Sequence, residues 1–330
     1  EELHRRQLKY DPEGRLADLR KYIQIRDSDF TQITKILEDD HRIEHLYLAY
    51  ASVEPPVDIS PETPDFTEHQ GYLQPAPGGF DSEYAQLWPS GDGTGIRFAD
   101  IEYSWNPDHE DLAHGPQEVS WGWNSDAYPS HGNGVFGEII AGDNGYGVRG
   151  MATGTEAFMI SPYSNPDTYN VADAIENSTV VLSAGDILLI EQQFYDFGNY
   201  CPVEVSPDVF DAISHIVAQG IVVVEPGGNG AQDLDAGYWN GWFQRDLQDS
   251  GAIMVGGGSP PDGISPPRSW YSDGSSYGSR VDVQGWYGGI VTAGGEGMAD
   301  LFYPDWDNRQ AYTAYFGGTS GASPMIVSVS

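Results

Sequence analysis

Ser320 stands in YFGGTSGASPM (315–325), between glycines at 317, 318 and 321 and shortly before Pro324. Glycine there lets backbone pass close to a bound carbonyl, and a helix beginning at Ser320 would aim free N–H groups and its positive dipole end at that carbonyl. Pro324 is expected in the first turn of that helix, where proline is tolerated. The tripeptide GTS alone equally suits a Gly/Ser-rich loop before a short helix. His131 opens a second block, SHGNGVFGEIIAGDNGYGVRGMA (130–152). Val135, Ile139 and Ile140 follow it at helical intervals, which sets the imidazole at the start of a buried helix. A third block, GTGIRFADIEYSWNPDHEDL (93–112), carries an apolar run from Ile96 to Ile101. It reads as a buried strand with Asp100 at its tip, where an aspartate also serves as a turn former. A hydroxyl, an imidazole and a carboxylate are the groups that acyl transfer needs to attack, to take a proton and to orient the base.

Asp100, His131 and Ser320 follow one another in the chain order Asp, His, Ser, which is the subtilisin order. The three blocks together resemble subtilisin-type serine peptidases, the S8 family. The resemblance implies a secreted serine endopeptidase with Asp100, His131 and Ser320 as catalytic residues and an acyl-enzyme intermediate. A fourth block, GIVVVEPGGNG (220–230), is a β-branched run ending in a Gly-rich turn. By resemblance Asn229 donates its side-chain amide to the oxyanion beside the Ser320 backbone N–H. Taken alone, Asn229 also suits a left-handed turn. Gly227 and Gly228 in that turn, with Gln192 and Gln193 in GDILLIEQQF (185–194), are the substrate-binding candidates of the same resemblance. IMVGGGS (253–259) and the stretch 269–285 resemble the strand and turns that precede the nucleophile block.

Three departures from the family pattern stand out. Gly134 and Asn133 replace the usual residues of the histidine box. Glu102 occupies a place where a small residue is usual, two positions after Asp100. A second carboxylate there would bias His131 toward its protonated form and move the active pH range upward. The chain stops ten residues after Ser320. The family continues its nucleophile helix, so a C-terminally incomplete domain with one sheet face short of apolar cover is expected.

The elements that must position these groups form an alternating pattern. Apolar strands expected at 180–191, 220–225 and 252–256, with a helix at 208–219, indicate βαβ units. The fold class is α/β: a subtilisin-like three-layer α/β/α arrangement with a mainly parallel sheet, preceded by a small α+β segment. The site belongs at strand carboxyl ends. Composition changes near residue 50: residues 1–50 hold 9 of the 15 basic and 11 of the 50 acidic residues, leaving 6 basic and 39 acidic in the remainder. Helical spacing of Leu16, Leu19 and Ile23 and of Phe30, Ile33 and Leu37, then a strand-like 42–50, resembles an inhibitory propeptide, which makes the chain a zymogen; an ordinary N-terminal subdomain fits as well. Residues 51–80, rich in proline, read as an extended solvated linker, and 81–330 as the catalytic domain.

A net charge of −35 argues against nucleic acid and anionic membranes as partners. It suits a secreted monomer acting on protein or peptide substrates, in high salt or in ordinary habitats alike. A single cysteine, Cys201, excludes an intrachain disulfide. By resemblance, calcium would take its place as a structural cofactor, held by Asp111 and the Asn144 side chain with carbonyls of Gly142, Tyr146 and Val148. A solvated acidic turn explains the same residues. Trp121, Trp123, Trp239, Trp242 and Trp286 line subsites or pack the interior. Competing readings are a sedolisin-type acid peptidase, which His131 disfavours, a catalytically silent homologue acting as a scaffold, and a calcium-stabilised adhesion module.

Overall fold

The computed structural model of the protein describes residues 41–43, 59–261 and 274–330. The chain divides into two compact units, Glu1–Val53 and Glu54–Ser330. The helices and strand expected within 1–50, apart from residues 41–43, and the first part (269–273) of the stretch expected at 269–285 lie outside the described residues.

In chain order the strands of the second unit are β1 (Arg97–Ile101), β2 (Val119–Trp121), β3 (Glu156–Ile160), β4 (Tyr163–Asn165), β5 (Thr168–Tyr169), β6 (Ile187–Ile190), β7 (Phe194–Asp196), β8 (Asn199–Cys201), β9 (Val222–Pro226), β10 (Ile253–Gly258), β11 (Val283–Trp286), β12 (Ile290–Ala293) and β13 (Tyr312–Phe316). Among the described residues five α-helices accompany them: α1 (Ser82–Ala85), α2 (Pro129–Ile140), α3 (Val171–Asn177), α4 (Pro207–Ala218) and α5 (Thr319–Val327). Seven strands form one sheet in the order β11-β10-β9-β6-β1-β3-β2, and every neighbouring pair in it is parallel. The remaining strands pair as three antiparallel ribbons, β4–β5, β7–β8 and β12–β13.

Such a sheet must be covered on both faces, which is why β6 and β9 read as unbroken aliphatic runs. One face packs Phe98, Leu189, Val224 and Val255 against Val135, Phe136 and Ile139 of α2 and Ala322, Met325 and Ile326 of α5. The other packs Ala99, Ile101, Leu188, Ile190 and Val223 against Val171 and Ile175 of α3 and Val209, Ile213 and Ile216 of α4. The result is the expected three-layer α/β/α architecture.

Three local expectations are corrected. The run 180–191 contributes only β6, because Ser178–Val180 is a 3₁₀ turn and Gly185 turns the chain at φ +93°. Residues 63–80 are not a solvated linker: Tyr72 and Leu73 are buried, and the Tyr72 hydroxyl donates to the Val291 carbonyl at 2.9 Å. Their apolar side chains gain more from burial than an extended segment could. Helix α5 begins at Thr319, one residue before Ser320, so Pro324 falls in its second turn rather than its first. The missing Pro324 N–H is the one that would otherwise have served the Ser320 carbonyl.

Candidate active site

Side chains alternate across a strand, so Phe98, Asp100 and Glu102 share one face of β1 and its exit, and Ile187, Leu189 and Glu191 share the same face of β6. Phe98 and Leu189 fix which face this is, because both pack in the core beneath α2 and α5. Asp100 lies level with Leu189 in the ladder, and the Glu191 N–H continues it to the Ile101 carbonyl at 3.2 Å. The carboxyl ends of the two central strands therefore point acids at the helices that carry His131 and Ser320.

His131 is the third residue of α2. Pro129 starts that helix, where a proline costs no intrahelical bond. Gly132 next to it has no room for a side chain, since a Cβ would strike the Ser104 carbonyl oxygen. The Phe316 ring meets the imidazole edge-on with 5.5 Å between ring centres. His131 Nδ1 forms a short hydrogen bond with Glu102 Oε2, whose side chain is fully buried. Asp100 does not make this contact: both of its oxygens are buried without a hydrogen-bond partner among the described residues. The pairing is thus Glu102–His131, and the expectation for Asp100 is corrected. The reason is strand length, because β1 runs to Ile101 and the Glu102 N–H still bonds the Ile160 carbonyl at 3.1 Å, which carries the tip of the strand past Asp100. Glu102 is the first polar residue after the apolar run, but spacing alone does not say which of the two carboxylates reaches the imidazole. Burial works to lower the His131 pKa, but the Glu102 charge and hydrogen bond outweigh it and hold the imidazole above its usual 6.5. Burial, then the Glu102 charge, push the Asp100 carboxyl well above the usual range, so it keeps its proton.

Ser320 follows Gly318 and Thr319 at the start of α5. Gly318 takes φ +79°, a left-handed conformation that favours glycine. The Ser320 N–H makes no hydrogen bond among the described residues and remains free at the helix start. Ser320 and His131 make no hydrogen bond to each other in this geometry, a looseness common before substrate arrives. Asn229 lies in the turn after β9. Its Oδ1 accepts from the Thr319 N–H at 2.8 Å and from the Thr319 hydroxyl at 3.2 Å. A backbone N–H can only donate, so this bond fixes which way the amide faces and leaves Nδ2 as a donor.

The substrate-binding candidates divide. Gln193 accepts the Asn229 N–H at 2.9 Å and so braces the turn that carries the amide. Gln192 is buried and spent on structure: Nε2 donates to the Glu191 carbonyl at 2.8 Å and Oε1 accepts from the Tyr169 hydroxyl at 2.7 Å. Gly227 donates to the Val255 carbonyl at 2.8 Å, and Gly228, at φ +86°, passes close to the Cys201 backbone. Cys201 itself is buried, and burial followed by the Asp196 charge pushes its thiol up to about 12, which rules it out as a neutral-pH nucleophile. Of the tryptophans, Trp239 and Trp286 are buried and Trp123 is exposed.

A model of the Subtilase family matches residues 36–330. The chain belongs to the subtilase family. Its fold is similar to that of a protease from Pseudoalteromonas arctica PAMC 21717, at TM-score 0.56 and 20% identity over 81% of this chain and 85% of that one. It is likewise similar to the nisin leader peptidase from Lactococcus lactis (0.54, 18%, covering 80% and 83%). Fervidolysin from Fervidobacterium pennivorans, a keratinolytic enzyme related to subtilisin, gives 0.54 and 20%, covering 80% of this chain and 40% of that one. No curated protein matches the chain significantly.

In this subtilase the residues named for calcium do meet, but through hydrogen bonds. Asp111 Oδ1 accepts from Asn144 Nδ2 at 2.7 Å and Oδ2 from the Val148 N–H at 2.7 Å. Asn144 Oδ1 in turn accepts from the Tyr146 N–H at 3.2 Å, and the Gly142 N–H donates to the Asp111 carbonyl at 3.1 Å. Burial, opposed by these bonds, pushes the Asp111 carboxyl up to about 8. Calcium needs six to eight oxygens turned inward, whereas here N–H groups occupy the oxygens of both side chains. Among the described residues no group of three or more His, Cys, Asp or Glu could hold a metal. As hydrogen-bonded here, the Asp111 and Asn144 side chains offer a cation no unshared oxygen. A chelator is expected to leave the melting temperature unchanged by scanning calorimetry, and a fall of several degrees restored by calcium would reverse this assignment.

Proposed function

We propose that this subtilase is a secreted serine endopeptidase in which Ser320 attacks the peptide carbonyl. His131 takes the serine proton and returns it to the leaving amine, while Glu102 holds the imidazole's tautomer and stabilises its charged form. The Asn229 amide and the Ser320 N–H, both free to donate, receive the negative charge that develops on the carbonyl oxygen. Water then repeats the cycle on the acyl enzyme. The observation that carries the reading is the Glu102–His131 pair, with the bond from the Thr319 N–H at the Ser320 helix start leaving the Asn229 Nδ2 as a donor. An imidazole in this position also speaks against a sedolisin-type acid mechanism, which replaces histidine by carboxyl groups. Secretion rests on the acidic, lysine-poor composition and the propeptide reading of residues 1–50 on their resemblance alone.

The test is intact mass after exposure to a fluorophosphonate, beside Ser320→Ala. One adduct that the variant lacks is expected. Folded wild-type protein that takes no adduct would instead make the chain a silent homologue. The same spectrum reports whether residues 1–50 have been removed.

A further inference from the structure

The mechanism above uses one carboxylate, yet four acids converge on this face. Glu191 stands at the exit of β6, with Asp100 and Glu102 facing it from β1 and its exit and Glu138 from α2. Ser320 lies beside its carboxyl. Glu191 is 4% exposed, and among the described residues neither of its oxygens has a partner in good hydrogen-bond geometry. Its backbone is fixed, because the Glu191 N–H bonds the Ile101 carbonyl at 3.2 Å and the Gln192 amide folds back onto its own carbonyl at 2.8 Å. Among the described residues the groups that act on it most are Asp100, Glu102, Ser320 and Glu138, none of them a cation, and the imidazole of His131 is committed to Glu102. Four buried carboxylates cannot all ionise against one cation. Burial, reinforced by Asp100 and Glu102, keeps the proton on Glu191 well above the usual carboxylate range.

A serine hydroxyl has one proton to give and two lone pairs to receive. An ionised carboxylate beside Ser320 would capture that proton and draw the hydroxyl away from His131. A carboxylic acid can instead donate to a lone pair and leave the serine O–H free to turn to the imidazole. We propose that Glu191 is a positioning residue for this nucleophile, acting as a neutral acid that donates to the Ser320 oxygen and thereby directs the serine proton to His131. The inference rests on the serine-peptidase reading.

The experiment follows the second-order rate of fluorophosphonate labelling against pH for wild type, Glu191→Gln and Glu191→Ala, with circular dichroism to confirm folding. Wild-type labelling at any pH supports the peptidase reading on its own, and its absence sinks that reading; the variants then judge Glu191. Glutamine keeps a donor at the same reach, so Glu191→Gln should label within about threefold of wild type at neutral pH and lose the alkaline decline. Glu191→Ala should label about tenfold more slowly, the scale of one lost hydrogen bond. Glutamine as damaging as alanine would show that the ionised form or packing is what matters, and overturns the proposal. Wild-type rates in both variants overturn it too. If the alanine variant does not fold, the alkaline limb of Glu191→Gln decides: a limb unchanged from wild type refutes the assignment.

Discussion

Replacing Glu102 with glutamine is expected to lower kcat/KM by about 10³–10⁴, the scale on which an isosteric amide at the orienting acid disables a serine protease by stabilising the wrong imidazole tautomer. Replacing Asp100 with asparagine is expected to change it less than about threefold, because a protonated, unpartnered carboxyl is closely mimicked by an amide and does not touch His131. Measured side by side, the two variants separate the acids that sequence spacing alone confuses. Equal losses, or a greater loss in Asp100→Asn, would return the role to Asp100. The pH dependence supplies a second readout. His131 must be neutral to accept the serine proton, and Glu102 holds its pKa above the usual 6.5. Activity therefore fades as pH falls through that raised value. Removing the charge lowers the imidazole pKa, so the residual activity of Glu102→Gln should persist to lower pH than wild type. An acid limb that stays in place would mean that Glu102 does not govern the titration.

The sequence revealed the fold through its strongest patterns. Aliphatic runs at Ile187–Ile190 and Val222–Pro226, separated by an amphipathic helix, could only be buried parallel strands. His131 and Ser320 were legible for the same reason: each sits at a helix start marked by glycine and followed by apolar spacing. The acid was not, because two carboxylates two residues apart share a face, and only the extent of the strand decides which reaches the imidazole. A period-2 pattern sets the face but not the height along it. Gln192 and Gln193 illustrate the other limit. They are neighbours of like type, yet alternation turns one inward to bond Tyr169 and lets the other brace Asn229. Glu191 passed unnoticed as part of an apolar run, since its meaning lies in three other acids distant in the chain. The segment around Tyr72 misled by composition: prolines and glycines there suggested solvent, while a few aromatic and aliphatic side chains were enough to dock it.

Replacing Asn229 with leucine is expected to lower kcat by about 10²–10³ with little change in KM, the range established for the corresponding donor in subtilisin. The side chain contributes in two ways, and the geometry lets them be told apart. Oδ1 ties the turn to the Thr319 N–H at 2.8 Å, which holds the start of α5 and with it Ser320. In the proposed mechanism Nδ2, left without a partner by that bond, donates to the charge that forms only in the transition state. Loss of the amide alone removes stabilisation that the bound substrate does not yet use, so kcat falls while KM holds. Loss of the tie would also let Ser320 drift. Aspartate at 229 keeps an oxygen for Thr319 but cannot donate when ionised, and it sets a negative charge where another must form. Asn229→Asp should therefore fold and melt as wild type does, yet lose at least as much activity as Asn229→Leu. An aspartate variant that retains activity while leucine abolishes it would show that the tie to Thr319, rather than the donated hydrogen bond, is what Asn229 contributes.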